Sequence, residues 1–223
     1  MKQQIRLGVF ETNSSSTHAM AVQSYPNVLY AKYTHMTDED IEKQNKENSS
    51  YGGYWSCPII KPSELPKEIS FKEGEFGWIV STITTPEEKA SYLYTLMYEL
   101  LSYDEFVEVI KHFKKWFKEE GITATFQEYY KVDRESIDRY DYRKNTVGLV
   151  RDKNDYGGYV DHPDEAEAFM CYVMCRKNHL FNYLFGDSII KTGNDNDDCD
   201  ISLYDEDKEY GYKYCHQVFY KGN

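Results

Sequence analysis

The sequence contains no run of about 20 apolar residues, the length that a helix needs to cross a membrane. The N-terminus has a short basic start without an apolar segment behind it, so no signal peptide is expected. The five cysteines are odd in number and scattered, which argues against a disulfide framework and favours free thiols. Together these absences predict a cytoplasmic protein that does not contact membranes.

The chain is also short of basic residues, with 26 against 38 acidic ones and a formal net charge of -12. A field of this sign repels the phosphates of nucleic acids and anionic membranes at long range. We therefore expect no direct nucleic-acid binding. The expected partner is a host protein or a protein–nucleic-acid complex, and the sequence leaves the oligomeric state open.

Signatures of well-known chemistries are missing as well. The chain has no phosphate-binding Walker loop, no dinucleotide fingerprint, no nucleophile elbow and no paired-cysteine zinc motif. Cys171 and Cys175 lie four residues apart in a predicted helix, a spacing that favours core positions over metal ligation. The sequence therefore assigns no cofactor and no resident metal.

Aromatic residues are abundant, at 16% of the chain, with 22 tyrosines and 11 phenylalanines. Disordered chains lack such residues, so a packed core is expected. Much of that core must be tyrosine, whose hydroxyl requires a hydrogen-bond partner or a path to water. The size of the chain allows one large domain, and we interpret residues 1–223 as a single domain.

Two adjacent helices are the clearest structural prediction. Residues 85–88 and 102–105 each place a hydroxyl residue three positions before a glutamate, the pattern of a capping box. The second helix carries apolar residues at helical spacing and is expected to end at Gly121. The first is expected to end near Leu101.

Alternating apolar residues predict strands over 5–10, 28–33, 69–71, 122–130, 188–191 and 210–220. A helix is expected to begin near residue 37 and to give way to a mobile loop over about 43–57. A third helix is predicted from Pro163 to Gly186, with Asp161 as its cap. The sum is an α+β fold in which an antiparallel sheet accompanies a mid-chain helical pair and a third helix.

A serine-rich loop at residues 12–18 contains more hydroxyl groups than a turn requires. Successive hydroxyls and backbone amides in a tight loop can hold an anion, with Arg6 as a charged clamp. The candidate ligand-binding residues are Arg6, Asn13, Ser14, Ser15 and Ser16, and His18 could act as a base. Alternatively, these hydroxyls only satisfy the loop's own backbone.

The string from Phe10 to His18 resembles the N-terminal signature of a family of uncharacterised proteins from bacteriophages and Firmicutes genomes. Residues 75–78, 89–94 and 161–162 are also similar to that family's pattern, but only the first string is specific. The resemblance implies a phage or mobile-element origin and no established reaction. It also implies that the polar loop is a binding or catalytic site.

Asp161 and His162 are further candidate catalytic residues, as an acid–base couple. With His18 and His216 they could supply imidazole and carboxylate ligands of the kind that zinc or manganese accepts. The spacing of these residues fits no metal motif, so no metal site is predicted.

Residues 195–209 contain eight acidic residues against one lysine. They form either a solvated loop or an acidic surface for a basic partner, with Asp205, Glu206, Asp207 and Glu209 as candidate protein-binding residues. Two functions follow. One is a stoichiometric host-interaction or anti-defence protein, for example of an anti-CRISPR kind; the other is an enzyme or ligand-binding domain that holds phosphate or a nucleotide at loop 12–18.

Overall fold

The computed structural model describes residues 16–23, 36–50, 59–77, 79–131, 150–151, 158–194 and 216–221. The predicted strands over 5–10 and 28–33 lie outside these residues. In the described part, α-helices accompany a four-stranded antiparallel sheet, which confirms the predicted α+β class.

The described strands are β1 (Ser16–Gln23), β2 (Glu68–Phe71), β3 (Glu75–Phe76), β4 (Ser81–Ile83), β5 (Thr123–Phe126), β6 (Tyr130–Lys131), β7 (Val150–Arg151), β8 (Tyr159–Val160), β9 (Ile189–Asn194) and β10 (His216–Lys221). The described α-helices are α1 (Asp38–Ser50), α2 (Pro86–Leu100), α3 (Tyr103–Glu119), α4 (Glu167–Met174) and α5 (Lys177–Phe185). Short 3₁₀ turns cover Pro62–Glu64 and Pro163–Ala166.

The main sheet has the strand order β10-β1-β9-β4, and every neighbouring pair in it is antiparallel. Strand β9 confirms the prediction over 188–191, and β10 confirms the described end of the closing strand. The sequence did not indicate two parallel pairs, β2 with β5 and β3 with β8. The second pair matters for function because its two parallel strands end on the same side, next to residues 161–162.

The core surrounds α2, whose residues 89–98 are all buried and which packs against β2, β8, α4 and α5. Along β1 the side chains alternate, so that Met20 and Val22 belong to the main core cluster. Ala19 and Ala21 form a separate cluster with Ile189 and Val218 on the opposite face. The sheet therefore carries apolar contacts on both faces.

Both predicted helix starts of the helical pair are confirmed. Thr85 accepts the Glu88 amide, and Ser102 and Glu105 form a complete capping box. Helix α3 buries one apolar stripe, namely Phe106, Ile110, Phe113 and Phe117. The chain leaves it through Gly121 at φ 72°, a left-handed conformation that glycine adopts without strain.

The prediction of a mobile loop from residue 43 is wrong up to Ser50, where α1 ends; residues 51–57 lie outside the described part. Tertiary contacts extend the helix over this polar sequence. The Asn45 side chain donates to the Ile59 carbonyl and accepts the Ile59 amide, both at 2.9 Å. Ile41 packs against Ile59 in a small apolar cluster, and Glu42 pairs with Lys61 at 2.6 Å.

The predicted third helix is divided in two. Arg176 adopts an extended conformation (φ -148°, ψ 142°) between α4 and α5, although no proline or glycine lies nearby. Lys177, the first residue of α5, pairs with Glu119 at 2.9 Å and with Glu120 at 2.5 Å at the end of α3. These pairs draw the chain towards α3 at the point where the helix is interrupted.

The expectation that Cys171 and Cys175 occupy core positions is also wrong, because both are exposed free thiols. The buried positions of α4 are Phe169, Met170 and Val173. The two cysteines share a helix face, as their spacing predicts, but that face points to solvent.

Candidate functional site

The two stretches singled out in the sequence meet where β1 begins. The backbone amide of Ser16 donates to Asp161 Oδ2 across 3.0 Å. Asp161 directly follows β8, and its own amide donates to the Phe76 carbonyl at 3.1 Å. One carboxylate thus links the first residue of the main sheet to the parallel β3–β8 pair.

Asp161 was predicted to cap a helix, and this is wrong. The residue before the 3₁₀ turn is His162, and no side chain caps that turn. The Asp161 carboxylate faces β1 instead. The predicted acid–base couple is close but not hydrogen-bonded, since His162 Nε2 lies 3.9 Å from Asp161 Oδ1.

His162 has a left-handed backbone at φ 49°, which is uncommon for a residue other than glycine. Its side chain is 55% exposed, whereas that of Asp161 is 20% exposed. The turn at residues 161–162 therefore presents an imidazole to solvent and keeps the neighbouring carboxylate against the protein.

His18, two residues after Ser16 in β1, is fully buried at 0% exposure. Its Nδ1 is 2.7 Å from the Tyr92 hydroxyl, which also lies 3.7 Å from the Met20 sulfur. Burial raises the pKa of Tyr92 far above its usual value, and the nearby Glu99 raises it further. Tyr92 therefore stays neutral in the core, and the buried His18 has the surroundings of a packed residue and not of a solvent-accessible base.

Carboxylates also hold the strand that precedes the turn. Glu73 accepts the Gly158 amide at 2.8 Å, and Glu99 accepts the Val160 amide at 2.9 Å. Gly158 passes so close to Gly74 that a Cβ would collide with its backbone. These contacts fix β8 and aim the residues after it.

Exposed apolar residues follow β3 and form part of β8, the two strands that lead to the turn. Gly77 lies against the Tyr159 ring and the Asp161 Cβ. The chain then reaches Ile79, whose carbonyl accepts from Thr192 Oγ1 at 2.7 Å, and Thr192 lies opposite His18 in the sheet. Ile79, Val80 and Tyr159 are 78%, 57% and 40% exposed. We call Ile79, Val80, Tyr159, Asp161 and His162 the sheet-end surface.

Part of the predicted site cannot be placed. Arg6, Asn13, Ser14 and Ser15 lie outside the described residues, as do the acidic candidates Asp205, Glu206, Asp207 and Glu209. Ser16 and Thr17, predicted as loop residues, are the first residues of β1. Ser16 is 1% exposed, so its side chain faces the protein interior.

The metal hypothesis that joined His18 to His216 is wrong. In the register of β1 and β10, His18 pairs with Lys221 and His216 pairs with Gln23. Five residues of extended strand separate the two positions by about 17 Å. Within the described ranges, no group of three or more His, Cys, Asp or Glu side chains is arranged to hold a metal ion.

Sequence reasoning missed one buried ionisable group, Lys89, which is 2% exposed. Burial lowers the pKa of its amine to about 8, and the charge of Asp187 opposes part of that change. From the sequence pattern alone, a lysine in the first turn of a helix is expected to be exposed at the surface. Its burial follows from the packing of α2 against α5, which no local signal shows.

Among the described residues, no helix is long and apolar enough to span a membrane. Compared with known proteins, the chain matches no family model, no curated protein and no solved structure.

Proposed function

We propose that this is a binding protein of a phage or another mobile element, which acts by stoichiometric contact with a host protein or protein–nucleic-acid complex. An anti-defence protein, for example of an anti-CRISPR kind, is one specific form of it. The observation that carries the proposal is the sheet-end surface, where Ile79, Val80 and Tyr159 are exposed and where Tyr159 and Asp161 both lie against Gly77. Exposed apolar side chains bordered by polar ones mark interaction sites.

The net charge of -12 favours a partner with a basic surface. A partner with an apolar centre and a basic rim complements the sheet-end surface and would be attracted at long range. The acidic residues Asp205, Glu206, Asp207 and Glu209 are the sequence-based candidates for contact with that rim. The complex should therefore weaken with salt.

We place this activity in the cytoplasm. Cys171 and Cys175 are exposed and unpaired, a condition that reducing compartments preserve and oxidising ones do not. The resemblance of residues 10–18 to phage and Firmicutes proteins is consistent with a bacterial host.

The test is site-specific photo-cross-linking in bacterial cells, with a benzophenone amino acid at position 79. We expect one discrete adduct that mass spectrometry identifies, and its loss when Asp205, Glu206, Asp207 and Glu209 are all replaced by lysine. The same probe at the exposed Lys43 of α1 is the matched control. Absence of an adduct at position 79, or the same adducts at both positions, would contradict the proposal.

The second candidate is a ligand-binding or enzymatic site for phosphate or a nucleotide at residues 12–18. It is favoured by the 3.0 Å contact that brings Ser16 to Asp161, and by the left-handed backbone of His162. Such backbone conformations concentrate at functional sites. In this reading Arg6 clamps the anion, Asn13, Ser14 and Ser15 donate hydrogen bonds and His162 moves protons. Ser16 and His18 have a supporting role, because the Ser16 amide donates to Asp161 and both side chains are buried.

Calorimetric titration with inorganic phosphate and with ATP distinguishes the two functions. The ligand-binding candidate predicts saturable heat that Arg6→Ala abolishes and that Tyr159→Ala leaves unchanged. If neither ligand gives heat and position 79 forms a cross-link, only the protein-binding function remains.

A further inference from the structure

Helix α3 carries four lysines on one face. Lys111, Lys114, Lys115 and Lys118 follow the spacing i, i+3, i+4 and i+7, which places them side by side along the helix. All four are exposed. At 1.5 Å per residue, the lysine face extends over about 10 Å of the helix.

Acidic neighbours neutralise only part of this face. Lys111 pairs with Glu108 at 2.6 Å. Lys114 lies over the Phe126 ring, 5.5 Å from its centroid. Among the described residues, neither Lys114, Lys115 nor Lys118 has a carboxylate within ion-pair distance. Glu119 and Glu120, at the end of the same helix, are instead paired with Lys177.

Flat rings border the lysines. His112 is exposed and stacks on the half-buried Trp116, with centroids 5.9 Å apart and planes 16° from parallel. His112 borders the lysine face, because it lies three positions before Lys115, and Trp116 lies behind the His112 ring, further from the lysines. A planar group can therefore lie against a ring while its charge contacts the lysines.

We propose that the lysine face of α3, together with His112 and Trp116, binds the backbone and a base of single-stranded nucleic acid. Four ammonium groups along about 10 Å can contact about three consecutive phosphates of an extended single strand. The His112–Trp116 pair offers a stacking surface for an unpaired base. An acidic peptide could match the charge, but it has no base for this surface.

Nucleic-acid binding at α3 is not what the net charge of -12 by itself predicts. A net charge describes the field at long range, but screening shortens that range to about 10 Å at 0.1 M salt. Within this distance the lysine face sets the potential. Binding of nucleic acid at α3 does not depend on protein contact at the sheet-end surface, and each could fail without the other.

The test is fluorescence anisotropy with a labelled 12-nucleotide oligothymidylate and the full chain. Three phosphate contacts predict a slope of about -2 for log K against log salt, or a loss of about 18-fold between 50 and 200 mM. Lys115→Gln with Lys118→Gln should weaken binding at 50 mM by tenfold or more and should reduce the slope by about 1.4. Trp116→Leu should weaken binding with an unchanged slope.

The matched control replaces Lys43 and Lys46 of α1 by glutamine, which changes the net charge equally on another helix. Retention of binding in this variant, with loss in the α3 variant, is the expected result. Equal loss in both variants overturns the inference, as does the absence of binding at 50 mM salt. Polyglutamate of equal length that competes as well as the oligonucleotide would show that the face binds acidic protein instead.

Discussion

The side-chain nitrogen of Lys89 lies 3.3 Å from the carbonyl oxygen of Gly186, the residue that ends α5. A buried cation thus meets the end of a helix at which backbone carbonyls are free and the dipole is negative. The Lys89 carbonyl in turn accepts the Tyr183 hydroxyl at 2.7 Å. These two contacts join the first turn of α2 to the last turn of α5.

Lys89 should make stability depend on pH in the alkaline range. Because burial lowers its pKa from 10.5 to about 8, the unfolded chain binds more protons than the folded one between these values. The free energy of unfolding from this group is therefore lowest below pH 8 and rises by about 2 kcal/mol by pH 9.5. Urea unfolding of the wild type and Lys89→Met at pH 7 and 9.5 measures it. From pH 7 to 9.5 the free energy of unfolding of the wild type should rise by about 2 kcal/mol relative to that of Lys89→Met, which lacks the titrating amine. A difference between the two proteins that does not change with pH contradicts the assignment.

Removal of the Tyr92 hydroxyl should destabilise the fold. Tyr92→Phe deletes the 2.7 Å contact with His18 inside the core, and the loss of such a buried partner costs about 1–3 kcal/mol. Tyr220→Phe is the control, since Tyr220 is 65% exposed and should change stability by less than about 0.5 kcal/mol. If chemical denaturation gave the same loss in the free energy of unfolding for both variants, the His18–Tyr92 contact would not stabilise the fold.

The capping box of α3 should be measurable by mutation and by acid. Ser102→Ala should cost about 1 kcal/mol, because it removes the side chain that accepts the Glu105 amide. Hydrogen bonds from the Ser102 side chain and backbone lower the pKa of Glu105. Its stabilising effect is therefore present above about pH 4.5 and is lost as the pH falls through the lowered value. Glu105→Gln should flatten this part of the acid-unfolding curve, and an unchanged curve would argue against the box.

Gly158→Ala should destabilise more than Gly121→Ala. A Cβ at Gly158 would collide with the backbone of Gly74, which cannot move aside as a flexible side chain can. We expect a loss of about 3 kcal/mol at this site, at the upper end of the cost of overpacking. At Gly121 there is open space and only the positive φ opposes alanine, at about 1–2 kcal/mol. Thermal melts that rank the two variants in the opposite order would show that β3 and β8 do not approach as closely as described.

The turn at residues 161–162 depends on its link to β1. Asp161→Ala removes the acceptor of the Ser16 amide and should lower stability by about 1–3 kcal/mol. Asp161→Asn keeps an acceptor oxygen and should recover part of the loss. Hydrogen exchange of the Ser16 amide checks the cause directly: it should accelerate in the alanine variant and less in the asparagine variant. No change in exchange in either variant would contradict the link.

Local chemistry was enough to predict the best-defined elements. The hydroxyl–glutamate pairs at Thr85 and Ser102 located two helix starts, since a cap is satisfied within one turn. The apolar spacing of α3 identified its buried face for the same reason. The polar sequence after Lys43 was misread because α1 is supported from outside, by Ile59 and Lys61.

The candidate site was located only in part. The sequence singled out Ser16, His18, Asp161 and His162, and the structure brings the first three to one end of the sheet with His162 beside them. The sequence could not show which of these side chains are buried and which are exposed. His18 is buried and His162 is exposed although each follows a polar residue in the sequence, because burial depends on which strand or helix passes over the side chain.

By itself, the sequence determined the α+β class, the caps of the helical pair, and the apolar and lysine spacing of α3. These features are set by residues within a few positions of one another, and local backbone energetics suffices to specify them. Only the tertiary structure decided that α4 and α5 separate at Arg176, that Lys89 is buried and that Asp161 bonds to Ser16 and not to a helix start. The partners of these residues are 58 to 145 positions away in the chain, so no local pattern can report the contact.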